Sequence, residues 1–298
     1  MKVTTISKRK FRELQPLQLR QEICNSESKI FDFRIRGEHK VLKVLNEQEG
    51  EYYATKLYTV EMLDTYQEYL PKSLYIPDTL AVVGNVTVGF TVPFLEGINL
   101  STILKSTKVD FKEHIYYLRK IGQLLEQLRN VRKYTPLKDF YLNDIHESNF
   151  IVNPNNRDIG TIDLDSSKIG SNGVYPSRYA SPYSLAKHVP SKYHVNESGK
   201  CGGSILPDDN SEIYCYIMTI LNYLFGGNVF RLNLEEFYVY LNYLDLIGID
   251  KELLTIIEKI VTTGPNVNPE PYLETLTLEQ ISRSRENVYK LTKTKLMK

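Results

Sequence analysis

Tryptophan is absent from this chain, and cysteine is nearly so: three in 298 residues. Cys24, Cys201 and Cys215 lie far apart with no CxxC spacing. No disulfide framework is expected, and the pattern suits a reducing, cytoplasmic compartment. Charge of one sign is lacking too. With 37 Lys and Arg against 36 Asp and Glu, the net charge is +1, which argues against non-specific nucleic-acid binding as the main task. The locally basic stretch Arg283–Lys298 reads as a solvated helix end. Long apolar runs are missing. The longest, Ile217–Phe225, is far too short to span a bilayer and contains Asn222. No apolar segment follows the basic opening MKVTTISKRKFREL, so no signal peptide is expected. Internal repeats and low-complexity tracts are absent as well.

What is present is enough apolar sequence, 42% of residues, for a sizeable core. The first hundred residues read mostly as strands: Leu17–Ile23, Lys29–Ile35, His39–Leu45, Thr79–Asn85 and Val86–Gly97, rich in Val, Ile, Phe and Tyr. Asn25-Ser26, Arg36-Gly37 and Gly84-Asn85 supply turns between them. Between the third and fourth strands, Glu49–Leu70 has helical spacing, and Pro71 ends it. After about residue 100 the period changes. Phe111–Lys133 sets Ile115, Leu118, Ile121, Leu125, Leu128 and Val131 on one face of an amphipathic helix. Two short strand-like runs follow, Asn149–Asn153 and Asp158–Leu164. Residues 170–210 read as loop, and Glu212–Gly226, Asn233–Gly248 and Asp250–Gly264 as helices. The expected class is α+β: a small strand-rich lobe with one helix, a linker near Pro93–Leu100, and a larger helical lobe, with a ligand cleft between them.

The chemistry concentrates in Phe140–Val152, FYLNDIHESNFIV. Asp144 and Asn149 are five apart in a turn, and Asp163 follows Asn149 by fourteen residues at the end of an apolar run. If the two short strands pair as a hairpin, two carboxylates and an amide converge. An isolated D-x-x-x-x-N is more often a solvated turn; the later Ile162-Asp163-Leu164-Asp165 at matching distance reverses that balance. Hard cations such as Mg²⁺ take oxygen ligands of this kind and share them with phosphates. Phosphoryl transfer needs such ligands plus a carboxylate to accept or orient the nucleophile's proton.

Asn143–Asn149, NDIHESN, resembles the catalytic loop of the protein-kinase-like superfamily, and Ile162–Ser167, IDLDSS, stands where that family has its metal-binding Asp-Phe-Gly. With His146, the D-x-H-x-x-N form is most similar to aminoglycoside phosphotransferases and choline kinases. The resemblance implies one bilobal protein-kinase-like domain over residues 1–298: an antiparallel-sheet N-lobe, 1–95, and a mainly helical C-lobe, 96–298. It implies ATP and Mg²⁺, with Asp144 as catalytic base and Asn149, Asp163 and Asp165 at the metal. Val41–Leu45 resembles the strand that carries the phosphate-binding lysine, making Lys43 the candidate; Lys40 points to the opposite face. Glu61 is the expected partner of Lys43, with Glu51 as the fallback. Val92–Leu100 looks like the hinge, where backbone groups of Pro93 to Leu95 would meet adenine, with Phe94 and Leu95 able to donate and Pro93 lacking an N–H. Glu212 matches the residue that anchors the catalytic loop, and Gly226 the end of its helix.

The sequence departs from the family at several points. No glycine-rich loop is visible, and Ser26 and Ser28 are the substitutes within Ile23–Phe31 for contacting phosphate. Leu142-Asn143 replaces the His-Arg before the catalytic Asp, so activation-loop switching is not expected. Arg178–Tyr183 resembles the end of the activation segment, but Tyr183 replaces its glutamate, and Thr262–Tyr272 lacks the matching arginine. His188, His194 and Cys201 fall in a loop that reads as surface rather than as a metal site. The activity implied is a protein serine/threonine kinase; a small-molecule kinase and a nucleotide-binding pseudokinase are the alternatives. The partners implied are a protein substrate or a small-molecule hydroxyl acceptor, no nucleic acid and no membrane, with the chain acting as a monomer.

Overall fold

The computed structural model describes residues 1–17, 27–170, 207–229, 232–262 and 267–296. Its class is α+β, with a mixed five-stranded sheet followed by a mainly helical portion. Strands β2 (Ser28–Ile35) and β3 (Glu38–Leu45) form a hairpin. Its two-residue turn places Arg36 and Gly37 at φ 51° and 88°, the left-handed pair that matches strand twist. Strands β4 (Thr79–Val83) and β5 (Val86–Pro93) form a second hairpin, with Gly84 at φ 64°. Between the hairpins lies α2 (Gly50–Thr65), followed by a short 3₁₀ turn that ends before Pro71. The sheet order is β1-β4-β5-β3-β2.

Strand β1 (Lys2–Thr5) and helix α1 (Lys8–Glu13) were not anticipated from the sequence. β1 pairs parallel with β4, so the sheet is mixed rather than wholly antiparallel. Four residues, none of them buried, carry too little alternation to signal a strand; the pairing edge of β4 supplies the reason for it. The expected strand Leu17–Ile23 lies almost wholly outside the described residues.

Period-two alternation gives the sheet two apolar faces. Leu42 and Val44 join Phe31, Phe33, Ala81, Val88 and Ile6 on one, flanked by Phe11 and Leu14 of α1 and its exit. On the other, Leu45 and Phe90 pack with Val60 of α2. Lys43 shares that second face.

The helical portion contains β6 (Ile98–Asn99), α3 (Leu100–Lys105), α4 (Phe111–Tyr134), β7 (Phe140–Tyr141), β8 (Phe150–Val152), β9 (Ile159–Thr161), β10 (Lys168–Ile169), α5 (Asp209–Phe225), α6 (Leu234–Leu246), α7 (Lys251–Thr262) and α8 (Leu278–Leu296). One apolar cluster spans it and takes in Leu63, Leu70 and Leu74 from the α2 side. Each of the six residues expected on the inner face of α4 is buried. α5 is buried nearly all round, as a central helix should be. Asp208 caps its N-terminus in a reciprocal box with Ser211, and Gly226 ends it at φ 71°. The basic C-terminal segment is not merely solvated. Ile281 is buried, Ser284 meets Tyr240 Oη at 2.9 Å, and Arg285 donates to the Tyr223 carbonyl at 3.0 Å. Among the described residues no helix is long and apolar enough to cross a membrane.

Candidate active site

The two short runs after α4 pair as expected. β8 and β9 are antiparallel, Phe150 opposite Thr161, and the Ile162 N–H donates to the Asn149 carbonyl at 2.9 Å. This register sets Asn149 beside the Ile162-Asp163 turn. Asp163 itself has φ 65° and ψ 38°, a left-handed conformation that aspartate tolerates better than most residues. The Asn149 amide donates to the Asp144 carbonyl at 2.8 Å and faces its carboxylate at 3.4 Å. Its Oδ1 is thereby turned away from Asp144. His146 Nδ1 accepts from the Ser148 N–H at 3.2 Å, while Nε2 lies 3.4 Å from Asp144 Oδ2. The neutral tautomer that satisfies both contacts carries its proton on Nε2, toward Asp144. Asp144 and Asp163 line one small pocket, walled by Leu142, Phe150, Thr161 and Leu164.

The Asp144 loop is held from below. Glu212, 1% exposed, accepts from the Leu142 N–H at 2.7 Å and from Arg132 at 2.9 Å. Arg132 also donates to the Phe140 carbonyl at 2.9 Å and pairs with Asp209. The start of α5 and the end of α4 therefore clamp the strand that leads into Asp144. Burial pushes the Glu212 carboxyl up to about 7, against the pull of Arg132. The expected role of Glu212 as loop anchor matches this geometry.

Lys43 comes from the sheet. On β3 it stands opposite Phe90, with its ammonium 6.0 Å from that ring's centre. Lys40 leaves the same strand on the other face and bonds Asp78 at 2.6 Å. The Lys43 ammonium pairs with Asp163 and sits 2.6 Å from Asp165 Oδ1. Burial opposes its charge, but the two carboxylates outweigh burial and raise its pKa. Lys43, Asp163, Asn149 and Asp144 are thus brought together across more than a hundred residues of chain.

Other expected positions are placed differently. Glu61 is on the exposed face of α2, as is Glu51, and the carboxylates meeting Lys43 are Asp163 and Asp165. The residue that α2 turns inward is Lys56, 2.7 Å from Asp165 Oδ2. Asp165 was expected at the metal. Both of its oxygens are engaged by lysines and its side chain is 1% exposed, so the structure makes it a counter-ion. Burial disfavours its charge, yet Lys43 and Lys56 hold its carboxyl well below the usual range. Phe94, expected at adenine, has its N–H on the His39 carbonyl at 3.3 Å and its ring stacked on His39 at 3.9 Å. That N–H is committed to the edge of the sheet. Leu95 turns its side chain toward Gly160, where it and Tyr75 leave no room for a Cβ. Ser28 is buried at the start of β2, opposite Leu45. Ser26 lies outside the described residues, as do His188, His194, Cys201 and Arg178–Tyr183.

Two contributors escaped the sequence reading. Lys56 had a legible signal, because it shares the inward stripe of α2 with Val60 and Leu63 at i+4 and i+7; a lysine in such a stripe needs a carboxylate partner. Arg132 sits near the end of α4, where a basic residue is ordinary, and carried no such signal.

Among the described residues no three acidic, His or Cys groups form a ready-made metal cage. Asp163, 35% exposed, nevertheless lines the small pocket, and Asn149, set beside its turn by the β8–β9 register, adds an amide oxygen; both are hard donors. That set suits Mg²⁺, which usually keeps waters and phosphate oxygens among its ligands. No family model matches the chain, and no curated protein matches it.

Proposed function

We propose that the protein is a Mg²⁺-ATP-dependent phosphotransferase, and a protein serine/threonine kinase in the first instance. We take its architecture as one bilobal protein-kinase-like domain, residues 1–95 and 96–298, acting in the cytoplasm. The observation that carries the reading is the meeting of Lys43 with Asp163 beside a pocket that Asp144 also lines. A cation from the sheet, a carboxylate and amide suited to Mg²⁺, and a second carboxylate able to take a proton are the parts phosphoryl transfer requires.

In this reading Lys43 binds phosphate oxygens, and Asp163 and Asn149 hold Mg²⁺. The metal, when bound, neutralises charge on the phosphate oxygens. Asp144 accepts the proton of the acceptor hydroxyl as that oxygen bonds to the γ-phosphorus. The bond to the β,γ-bridging oxygen breaks, and ADP leaves with its electron pair. Glu212 and Arg132 keep Asp144 in place through the backbone of Phe140 and Leu142. His146, facing Asp144, favours a second reading in which the acceptor is a small-molecule alcohol.

The test is transfer of the ATP γ-phosphate in the presence of Mg²⁺, with a generic protein acceptor and a panel of amino-alcohols, beside Asp163→Ala. Label appearing on either acceptor and lost in the variant supports the reading and names the acceptor class. Transfer that persists in Asp163→Ala, or that never occurs, refutes it.

A further inference from the structure

Around Lys43 the described charges form an alternating chain. Glu27 meets Lys56 at 3.1 Å, Lys56 meets Asp165 at 2.7 Å, Asp165 meets Lys43 at 2.6 Å, and Lys43 meets Asp163. The Lys56 ammonium also lies 5.0 Å from the centre of the Tyr52 ring, and Tyr52 Oη donates to Glu27. Lys56 and Asp165 have side chains 3% and 1% exposed. One buried carboxylate is therefore shared by two lysines from different elements, β3 and α2.

We propose that Lys56 is a positioning residue for the phosphate site: it keeps Asp165 neutralised so that Lys43 can leave it for phosphate. The inference rests on the phosphotransferase reading above. Lys43 cannot serve Asp165 and an incoming polyphosphate equally. A lysine that turned away from a fully buried carboxylate would leave an uncompensated charge, which is strongly unfavourable. Lys56 removes that penalty because it stays on Asp165 Oδ2 whichever way Lys43 turns. It also ties α2 to the turn that carries Asp163, two residues before Asp165. The helix thus contributes to the site through a cation acting on a carboxylate of the metal-side turn, not through a carboxylate acting on Lys43.

The test is calorimetric binding of the Mg²⁺ complex of a non-hydrolysable ATP analogue, with melting temperatures measured in parallel. The proteins are wild type, Lys56→Arg, Lys56→Met, Asp165→Asn and the double variant Lys56→Met/Asp165→Asn. In Lys56→Met, Asp165 competes undivided for Lys43, and affinity falls by about tenfold or more. Lys56→Arg retains affinity. The double variant recovers it to within about threefold of wild type, because the competing charge is gone. Equal affinity in wild type and Lys56→Met, with only a lower melting temperature, overturns the inference and leaves Lys56 a structural residue. So does a loss that the double variant fails to recover. If Lys56→Met does not fold, Asp165→Asn and the double variant decide: binding far weaker than wild type in both overturns the inference. Absence of binding in the wild type is a different failure, that of the phosphotransferase reading itself.

Discussion

Replacing Glu212 by glutamine removes one titrating group and little volume, so its effect can be worked from the structure. The carboxylate is fully buried and carries two acceptor bonds, from Leu142 N–H and Arg132. Burial moves its pKa from an ordinary 4.5 to about 7. The folded state then holds the proton more firmly than the unfolded state. The stability contributed through this group is greatest below pH 4.5, falls as pH rises toward 7, and levels off above. At about 1.36 kcal/mol per pH unit, the loss through this group is roughly 3 kcal/mol. Glutamine cannot titrate. Whatever constant offset the amide introduces by facing the Arg132 guanidinium with a donor, the stability gap between the two proteins shifts by about that amount in favour of glutamine from pH 5 to pH 8. Urea unfolding of both proteins at half-unit steps of pH reads the gap directly. A gap that stays flat from pH 5 to 8 refutes the reasoning. It would mean that Arg132 keeps Glu212 ionised throughout.

Gly89→Ala tests how closely β5 approaches β3 at Lys43. A Cβ at Gly89 would lie 1.9 Å from the Lys43 carbonyl oxygen, a backbone atom that cannot step aside. Destabilisation of about 3 kcal/mol or more is expected in urea unfolding, and a loss under 1 kcal/mol would show that the strands separate easily. Glu61→Ala addresses the position the sequence singled out and the structure turns to solvent. Its stability should stay within about 0.5 kcal/mol of wild type and its ATP turnover unchanged, whereas a large loss of turnover would mean that α2 rotates to bring Glu61 inward.

How much of this was legible depended on whether a residue's role is set by its own element or by a distant partner. The inner face of α4 follows from spacing alone, and all six residues named for it are buried. The β8–β9 hairpin follows from two short apolar runs around a turn, and pairing then delivers Asn149 beside Asp163. Alternation on β3 separates Lys43 from Lys40. The failures lie where choice among charges decides. Glu61 has a plausible distance from Lys43 in sequence but falls outside the α2 stripe of Lys56, Val60 and Leu63. Reading that stripe first would have placed a lysine, not a glutamate, against the site. Asp165 looked like a metal ligand because it stands near Asp163; only the arrival of Lys56 from α2 shows both its oxygens taken. Phe94 looked available at the linker, but the length of the β3–β5 ladder commits its N–H to His39. β1 needs the edge of β4, which no local pattern announces.

The most direct test of the central claim is calorimetric titration of Mg²⁺-ATP into the wild-type protein, Lys43→Met and Asp163→Ala, with a matched series in which the metal is chelated. If Lys43 and Asp163 hold phosphate and metal, the wild type binds one nucleotide only when Mg²⁺ is present. Each variant then binds about tenfold more weakly or worse, as expected for losing a charge-assisted contact. Binding of equal strength in all three proteins, or no binding by the wild type, would contradict the assignment of this pocket to a metal-nucleotide complex.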